Sequence, residues 1–108
     1  MTYEELLGRA VEVWAKYAAL NTERGVTWNE QNIMSGFVGD VGDLSKIVMA
    51  KHGLRQMDDI DAKLAHELAD CLWSVLVLSD RYKIDLSREF MTTMSSLEKH
   101  IEAETASS

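Results

Sequence analysis

Between Leu64 and Leu78 apolar side chains cover nearly the whole circumference of a helical wheel. A helix of that composition is buried on most of its sides, and in a chain of 108 residues further burial through oligomerisation would help. Proline is absent, glycine is sparse, and apolar residues elsewhere recur at intervals of three and four. No stretch of four or more residues alternates as a half-buried strand does. The expected fold class is all-α, with four main helices.

Local signals place the helices. Thr2 with Glu5 forms the pattern of a capping box and opens a first helix that runs to about Leu20, with Leu6, Leu7, Ala10, Trp14 and Tyr17 along one side. Asn21 to Gly25 reads as a loop. Thr27 with Glu30 repeats the box pattern before a second helix whose stripe is Ile33, Phe37, Val41, Leu44 and Val48, with Gly53 as its C-terminal stop. Asp58 to Asp61 caps a third helix reaching about Tyr82. Asp85 or Ser87 starts a fourth, carried by Leu86, Phe90, Met94, Leu97 and Ile101. Residues 104–108 read as a frayed tail, and residues 1–108 as one domain.

The third helix has one polar gap, Glu67, Asp70 and Ser74. Taken alone, such a gap reads as a solvated face. The second helix changes that reading, because Asp40 falls between Phe37, Leu44 and Ile47 on the apolar side and Asp43 lies at its edge. A buried carboxylate without a partner costs several kcal/mol or takes up a proton, so it calls for a cation. Asp40 with Asp43, and Glu67 with Asp70, are two i,i+3 pairs with 23 residues between them. Residues three apart share a helix face, so two packed helices would bring all four carboxylates to one spot. Hard divalent ions such as Mg²⁺ take carboxylate oxygens and keep positions open for water and phosphate, so the spacing reads as a metal site for phosphate chemistry.

Gly36, Gly39 and Gly42 all lie inside the second helix, each at a cost of about 0.5–1 kcal/mol relative to alanine. Gly36 and Gly39 lie on the side of Asp43, where they either admit a neighbouring helix at short distance or leave room for a ligand. Net charge is −7, with 18 acidic and 11 basic residues and no continuous basic stripe. Nonspecific binding to a nucleic acid polymer, which depends on phosphate neutralisation, is therefore not expected. The single cysteine, Cys71, reads as a small buried hydrophobe. No signal segment or membrane span is visible, and a cytoplasmic location is the default expectation.

The motif residues resemble the MazG-like family of all-α nucleoside triphosphate pyrophosphohydrolases, itself similar to the dimeric dUTPases. That family's mark is E-x-x-E on one helix and E-x-x-D on the next. Gly39-Asp40-Val41-Gly42-Asp43-Leu44 stands where the family usually shows E-E-x-G-E-L, and Glu67-Leu68-Ala69-Asp70 matches E-L-A-D. The resemblance covers roughly residues 33–98. It implies a homodimer or homotetramer built around a helix bundle, with Mg²⁺ or Mn²⁺ held by Asp40, Asp43, Glu67 and Asp70. The implied reaction is hydrolysis of a nucleoside or deoxynucleoside triphosphate to the monophosphate and pyrophosphate, a house-cleaning role. One of the four carboxylates would position or deprotonate the attacking water.

The chain departs from the family pattern in two respects. Asp40 and Asp43 replace glutamates, and the last-helix positions that usually carry Lys, Asn and a basic residue correspond to Thr93, Leu97 and His100. Lys46, one turn after Asp43, is the best-placed substitute cation, and Trp28 and Trp73 are the aromatic candidates for a base pocket. His66 points about 100° from Glu67 on the wheel and reads as structural or solvent-facing. These departures keep open a catalytically silent nucleotide-binding or regulatory module on the same fold. A structural helical oligomer with a solvated acidic slot is the third reading.

Overall fold

The computed structural model describes residues 1–107 and contains four α-helices, with no strand among the described residues. They are α1 (Tyr3–Glu23), α2 (Glu30–Lys51), α3 (Ile60–Arg81) and α4 (Leu86–Ser107). None of them is long and apolar enough to cross a membrane.

Helices α2 and α3 form an antiparallel hairpin tied at both ends. Lys51, the last residue of α2, reaches Asp61 in the first turn of α3 at 2.7 Å. At the other end, Arg81 closing α3 reaches Glu30 opening α2 at 2.9 Å. Between these pairs Ile33, Ile47 and Ala50 of α2 and Leu76 and Val77 of α3 are buried. Helix α1 lies against α3 through Ala10 and Trp14, which join Ile33, Leu76 and Val77 in one core cluster. The Trp73 indole N–H donates to the Ala10 carbonyl at 3.1 Å and ties α3 to α1. The Arg81 guanidinium lies 5.6 Å above the Trp14 ring, so its packing joins all three helices.

The helix ends show how the loops are made. α1 and α2 both close with a glycine in the left-handed region, Gly25 (φ 72°) and Gly53 (φ 74°). After α2 the Gly53 N–H donates to the Ala50 carbonyl at 3.0 Å and the Leu54 N–H to that of Met49 at 2.9 Å, the double bond of a Schellman motif. α3 ends in the same way without a glycine: Lys83 takes φ 58°, and Ile84 N–H donates to Ser79 at 2.9 Å.

Several boundaries differ from the sequence reading. α1 continues three residues past Leu20, so Asn21 is the last-turn helical residue whose carbonyl closes the Schellman bond with Val26. α2 is capped by Asn29, not Thr27: Asn29 and Asn32 exchange side-chain-to-backbone bonds of 3.0 and 3.1 Å, which frees Glu30 for Arg81. Asp59 sits at the start of α3 with a left-handed backbone and makes no side-chain cap bond. Asp85 rather than Ser87 caps α4, accepting from the Arg88 N–H at 3.1 Å. The segment read as a frayed tail is helical through Ser107, and Ser108 lies outside the described residues.

The core is small for the mass. The chain exposes 8094 Å², where a compact monomer of its size shows about 6,100 Å². Its radius of gyration is 17.5 Å, against about 13 Å for a compact domain. Helix α3 is therefore not covered on most of its sides within one chain: Leu68 and Leu72, one turn apart, are 52% and 46% exposed. The α2 stripe is also rotated from the one read in sequence. Val41 and Val48 face outward, and the line buried or half-buried is Ile33, Phe37, Asp40, Leu44 and Ile47. α4 buries no residue, and of its stripe only Leu86 packs on the core.

Candidate metal centre

The same rotation puts a carboxylate where the α2–α3 seam would otherwise take an apolar side chain. Asp40 occupies the 33–37–40–44–47 line of α2, and Glu67 and Asp70 face it from α3. Oxygens of Asp40, Asp43 and Glu67 lie within 4.8 Å of one another, as do ligand atoms of His66, Glu67 and Asp70. Glu67 belongs to both groups. The four carboxylates anticipated from the two i,i+3 pairs are thus brought together, as two triplets that share one member.

The cluster repels itself. Partial burial, and then the charges of Asp70 and Asp43, push the Asp40 carboxyl above its ordinary value of 3.8. Burial, followed by repulsion from Asp40, Asp70 and Asp43, likewise raises Glu67 above 4.5. The same two causes raise the Cys71 thiol, with Asp40, Glu67 and Asp70 as the charges, which keeps it protonated and a poor ligand. The Glu67 Oε2 atom is buried and has no hydrogen-bond partner. An orphaned carboxylate oxygen among like charges fits a hard cation with oxygen ligands, which would satisfy the lone pairs and cancel the repulsion. Asp40, Asp43, Glu67 and Asp70 are the residues that would hold it.

His66, expected to be structural or solvent-facing, has a side chain 72% exposed, and its Nε2 also lies 3.1 Å from Asp70 Oδ2. Measured from Glu67 the imidazole does point away, but from Asp70 the spacing is i,i+4, and that neighbour relation was the available signal.

Two concavities flank the carboxylates. Asp40 and Asp70 open onto one of about 270 Å³, with Tyr17, Trp28, Trp73 and Ser74 among its lining residues. Asp43 and Glu67 open onto another of about 550 Å³ on the side of Met57, Lys63 and His66. Trp28 and Trp73, the two aromatic candidates, therefore share one cavity beside the acidic cluster. Tyr17 stands edge-on to both, with ring centroids 5.5 Å from Trp28 and 6.5 Å from Trp73. Lys46, the substitute cation read from the sequence, is placed apart from both cavities. It is exposed; Asp43 itself is exposed at the edge of the seam, and Ile47, not Lys46, continues the buried line. Lys63 is the lysine the fold delivers to the acidic side.

The glycines of α2 do not serve a close helix crossing within the chain. A Cβ added at Gly36, Gly39 or Gly42 would meet no atom within 4 Å. Gly36 does line the aromatic cavity beside Asp40, which leaves room for a ligand as its local effect. Compared with known protein families, curated proteins and solved structures, the chain matches none.

Proposed function

We propose that the chain is a metal-dependent nucleoside triphosphate pyrophosphohydrolase of the MazG-like kind, acting on a nucleoside or deoxynucleoside triphosphate with Mg²⁺ or Mn²⁺ at Asp40, Asp43, Glu67 and Asp70. The observation that carries this reading is the buried, unpartnered Glu67 oxygen inside a cluster of like charges. Such a cluster binds hard divalent ions, and the cavities on both sides leave space for a ligand larger than the ion itself. A bound divalent ion supplies neutralisation of the phosphates and acidification of a water. The chain's own contribution is placement. α2 and α3 hold their carboxylates across a seam with an ion pair at each end, and His66 stands 3.1 Å from one oxygen of Asp70. Trp28, Trp73 and Tyr17 offer apolar faces to a base.

Self-association as a homodimer or homotetramer belongs to the same proposal. The chain shows about 2,000 Å² more surface than a compact monomer of its mass, which is the scale of a standard protein interface. The excess is apolar in character, with Leu68 and Leu72 on α3 and Phe90, Met91, Leu97 and Ile101 on α4 all roughly half exposed or more.

The test is pyrophosphate release from a panel of NTPs and dNTPs with Mg²⁺ or Mn²⁺, run beside an Asp70→Ala control. Metal-dependent release that falls by about a hundredfold or more in the control is the expected result. Folded protein that releases no more than the control, yet is stabilised by a nucleotide, would leave the catalytically silent nucleotide-binding module in its place.

A further inference from the structure

The carboxylate cluster separates two cavities that differ in two respects, aromatic rings on one side and a lysine on the other, and this gives the substrate a direction. On the Asp40 and Asp70 side the walls are aromatic. Tyr17 stands nearly perpendicular to Trp28 (82°) and to Trp73 (78°). The Trp73 N–H is already taken by the Ala10 carbonyl, so that ring offers faces and edges and no free donor. Ser74 also lines this cavity; it is 3% exposed, and its hydroxyl has no hydrogen-bond partner among the described residues. Its Oγ is not among the sealed, unpartnered polar atoms of the described residues; it is open to the cavity, where a ligand or water satisfies it. At about 270 Å³, the space is below the 300–1,000 Å³ of a site for a whole small molecule. It suits one planar ring system rather than a whole nucleotide.

On the Asp43 and Glu67 side the cavity is about twice as large, at about 550 Å³, and carries Lys63, whose ammonium has no ion-pair partner among the described residues. His66 lies on the same side, held by Asp70. Asp59 is the opposing charge there. No such cation lines the aromatic cavity.

We propose that a nucleoside triphosphate lies along the α2–α3 seam in one direction, its base in the Tyr17–Trp28–Trp73 cavity with an edge on the Ser74 hydroxyl and its terminal phosphates beside Lys63. The pyrophosphate end therefore leaves through the Lys63 cavity. This rests on the hydrolase reading for its ligand but not for its test, which measures binding. A single hydroxyl discriminates base edges weakly, and rings are held mainly by stacking. Purine and pyrimidine substrates are then used with similar KM.

The experiment separates the two ends of the ligand. Adenosine and uridine are titrated against intrinsic tryptophan fluorescence in EDTA, and inorganic pyrophosphate is titrated by calorimetry with Mg²⁺. Ser74→Ala is expected to weaken the nucleosides by about three- to tenfold and leave pyrophosphate unchanged. Lys63→Met weakens pyrophosphate by about tenfold and leaves the nucleosides unchanged, and Asp59→Asn strengthens it. The exchanged pattern, loss of both ligands in either variant, or no binding of either ligand overturns the proposal. So does quenching by tetramethylammonium without quenching by a nucleoside, which would make the aromatic cavity a site for organic cations. Binding in the expected pattern without turnover of any NTP would end the hydrolase reading and leave the direction standing, whereas turnover with the pattern absent would do the reverse.

Discussion

Helices α2 and α4 are each 22 residues long and each carries an apolar stripe at helical spacing, yet the structure treats them in opposite ways. α2 is joined to α3 by a short connection, is pinned to it at both ends by Lys51–Asp61 and Glu30–Arg81, and buries Ile33, Ile47 and Ala50. α4 follows α3 after a connection that is shorter still and buries nothing, leaving Phe90 56% and Ile101 55% exposed. α4 is the more sharply amphipathic of the two and still buries nothing; what differs in favour of α2 is the supply of neighbours. α3 has its available faces taken by α1 and α2, and what remains of its circumference, around Leu68 and Leu72, is a surface that no other part of the same chain covers. An apolar stripe states that a helix needs a partner and is silent on whether the partner belongs to the same chain.

That contrast is open to direct attack. The largest effect is expected from truncating the packed side: Trp14→Ala removes a residue 6% exposed at the centre of the three-helix contact and should lower stability by about 3–5 kcal/mol in urea melts. Phe90→Ala on α4 should cost less than about 0.5 kcal/mol in dilute, monomeric protein. If the two losses were equal, α4 would be packed as well as α1, and the contrast would fail. Ending the chain after Asp85 should retain the helical signal of residues 1–85 and lower the mass seen in light scattering to that of one chain. A truncated protein that still associates would place the interface on α3.

A smaller effect concerns the seam itself. The folded-state values of Asp40 and Glu67 are raised above those of the unfolded chain, so the native state holds protons more tightly than the unfolded one. The contribution of these two groups is then greatest at acid pH, where both carboxyls are protonated in either state, and declines as pH rises from the unfolded values through the raised folded ones. Glu30, lowered by a backbone hydrogen bond and then by Arg81, and Asp61, lowered by Lys51, act with the opposite sign, so the cluster is isolated by comparison with a Glu67→Gln variant. In EDTA the melting temperature of the native chain should fall relative to that variant across the window, and Mg²⁺ or Mn²⁺ at neutral pH should raise it by binding only the native state. A difference that stays flat in EDTA would show that the cluster is solvated and carries no repulsion. The smallest effect is expected at the end of α3. Lys83 holds φ 58° where α1 and α2 use glycine, so Lys83→Gly should raise stability by about 0.5–1 kcal/mol, and no gain would mean that Lys83 makes compensating contacts.

What could be read from the sequence follows the range of the forces involved. Periodicity over twenty residues places a helix reliably because each turn repeats the same statement, and the pairing of Asp40 and Asp43 with Glu67 and Asp70 is legible because i,i+3 neighbours share a face whatever surrounds them. Caps were less secure. Thr27 and Asn29 both offer a side chain that accepts a backbone N–H; Asn29 takes the role with Asn32 as its reciprocal partner, while Glu30 pairs with Arg81, 51 residues away. The placement of Lys46 depends on the same kind of longer-range choice: it stands one turn beyond Asp43 in sequence, and the rotation of α2 that buries Ile47 leaves Lys46 exposed.

The sequence by itself determined the all-helical class, the four segments and the two carboxylate pairs, since these depend on backbone hydrogen bonds and on neighbours one turn away. Only the tertiary structure decided that Asp40 takes a half-buried position on the α2 face toward α3, that His66 stands beside Asp70, that Lys63 and not Lys46 lines the cavity next to Asp43 and Glu67, and that three aromatic rings and Ser74 line one cavity. Those outcomes follow from the rotation of each helix about its axis. That angle is chosen by the sum of contacts along two packed surfaces, and no residue of a single helix encodes it.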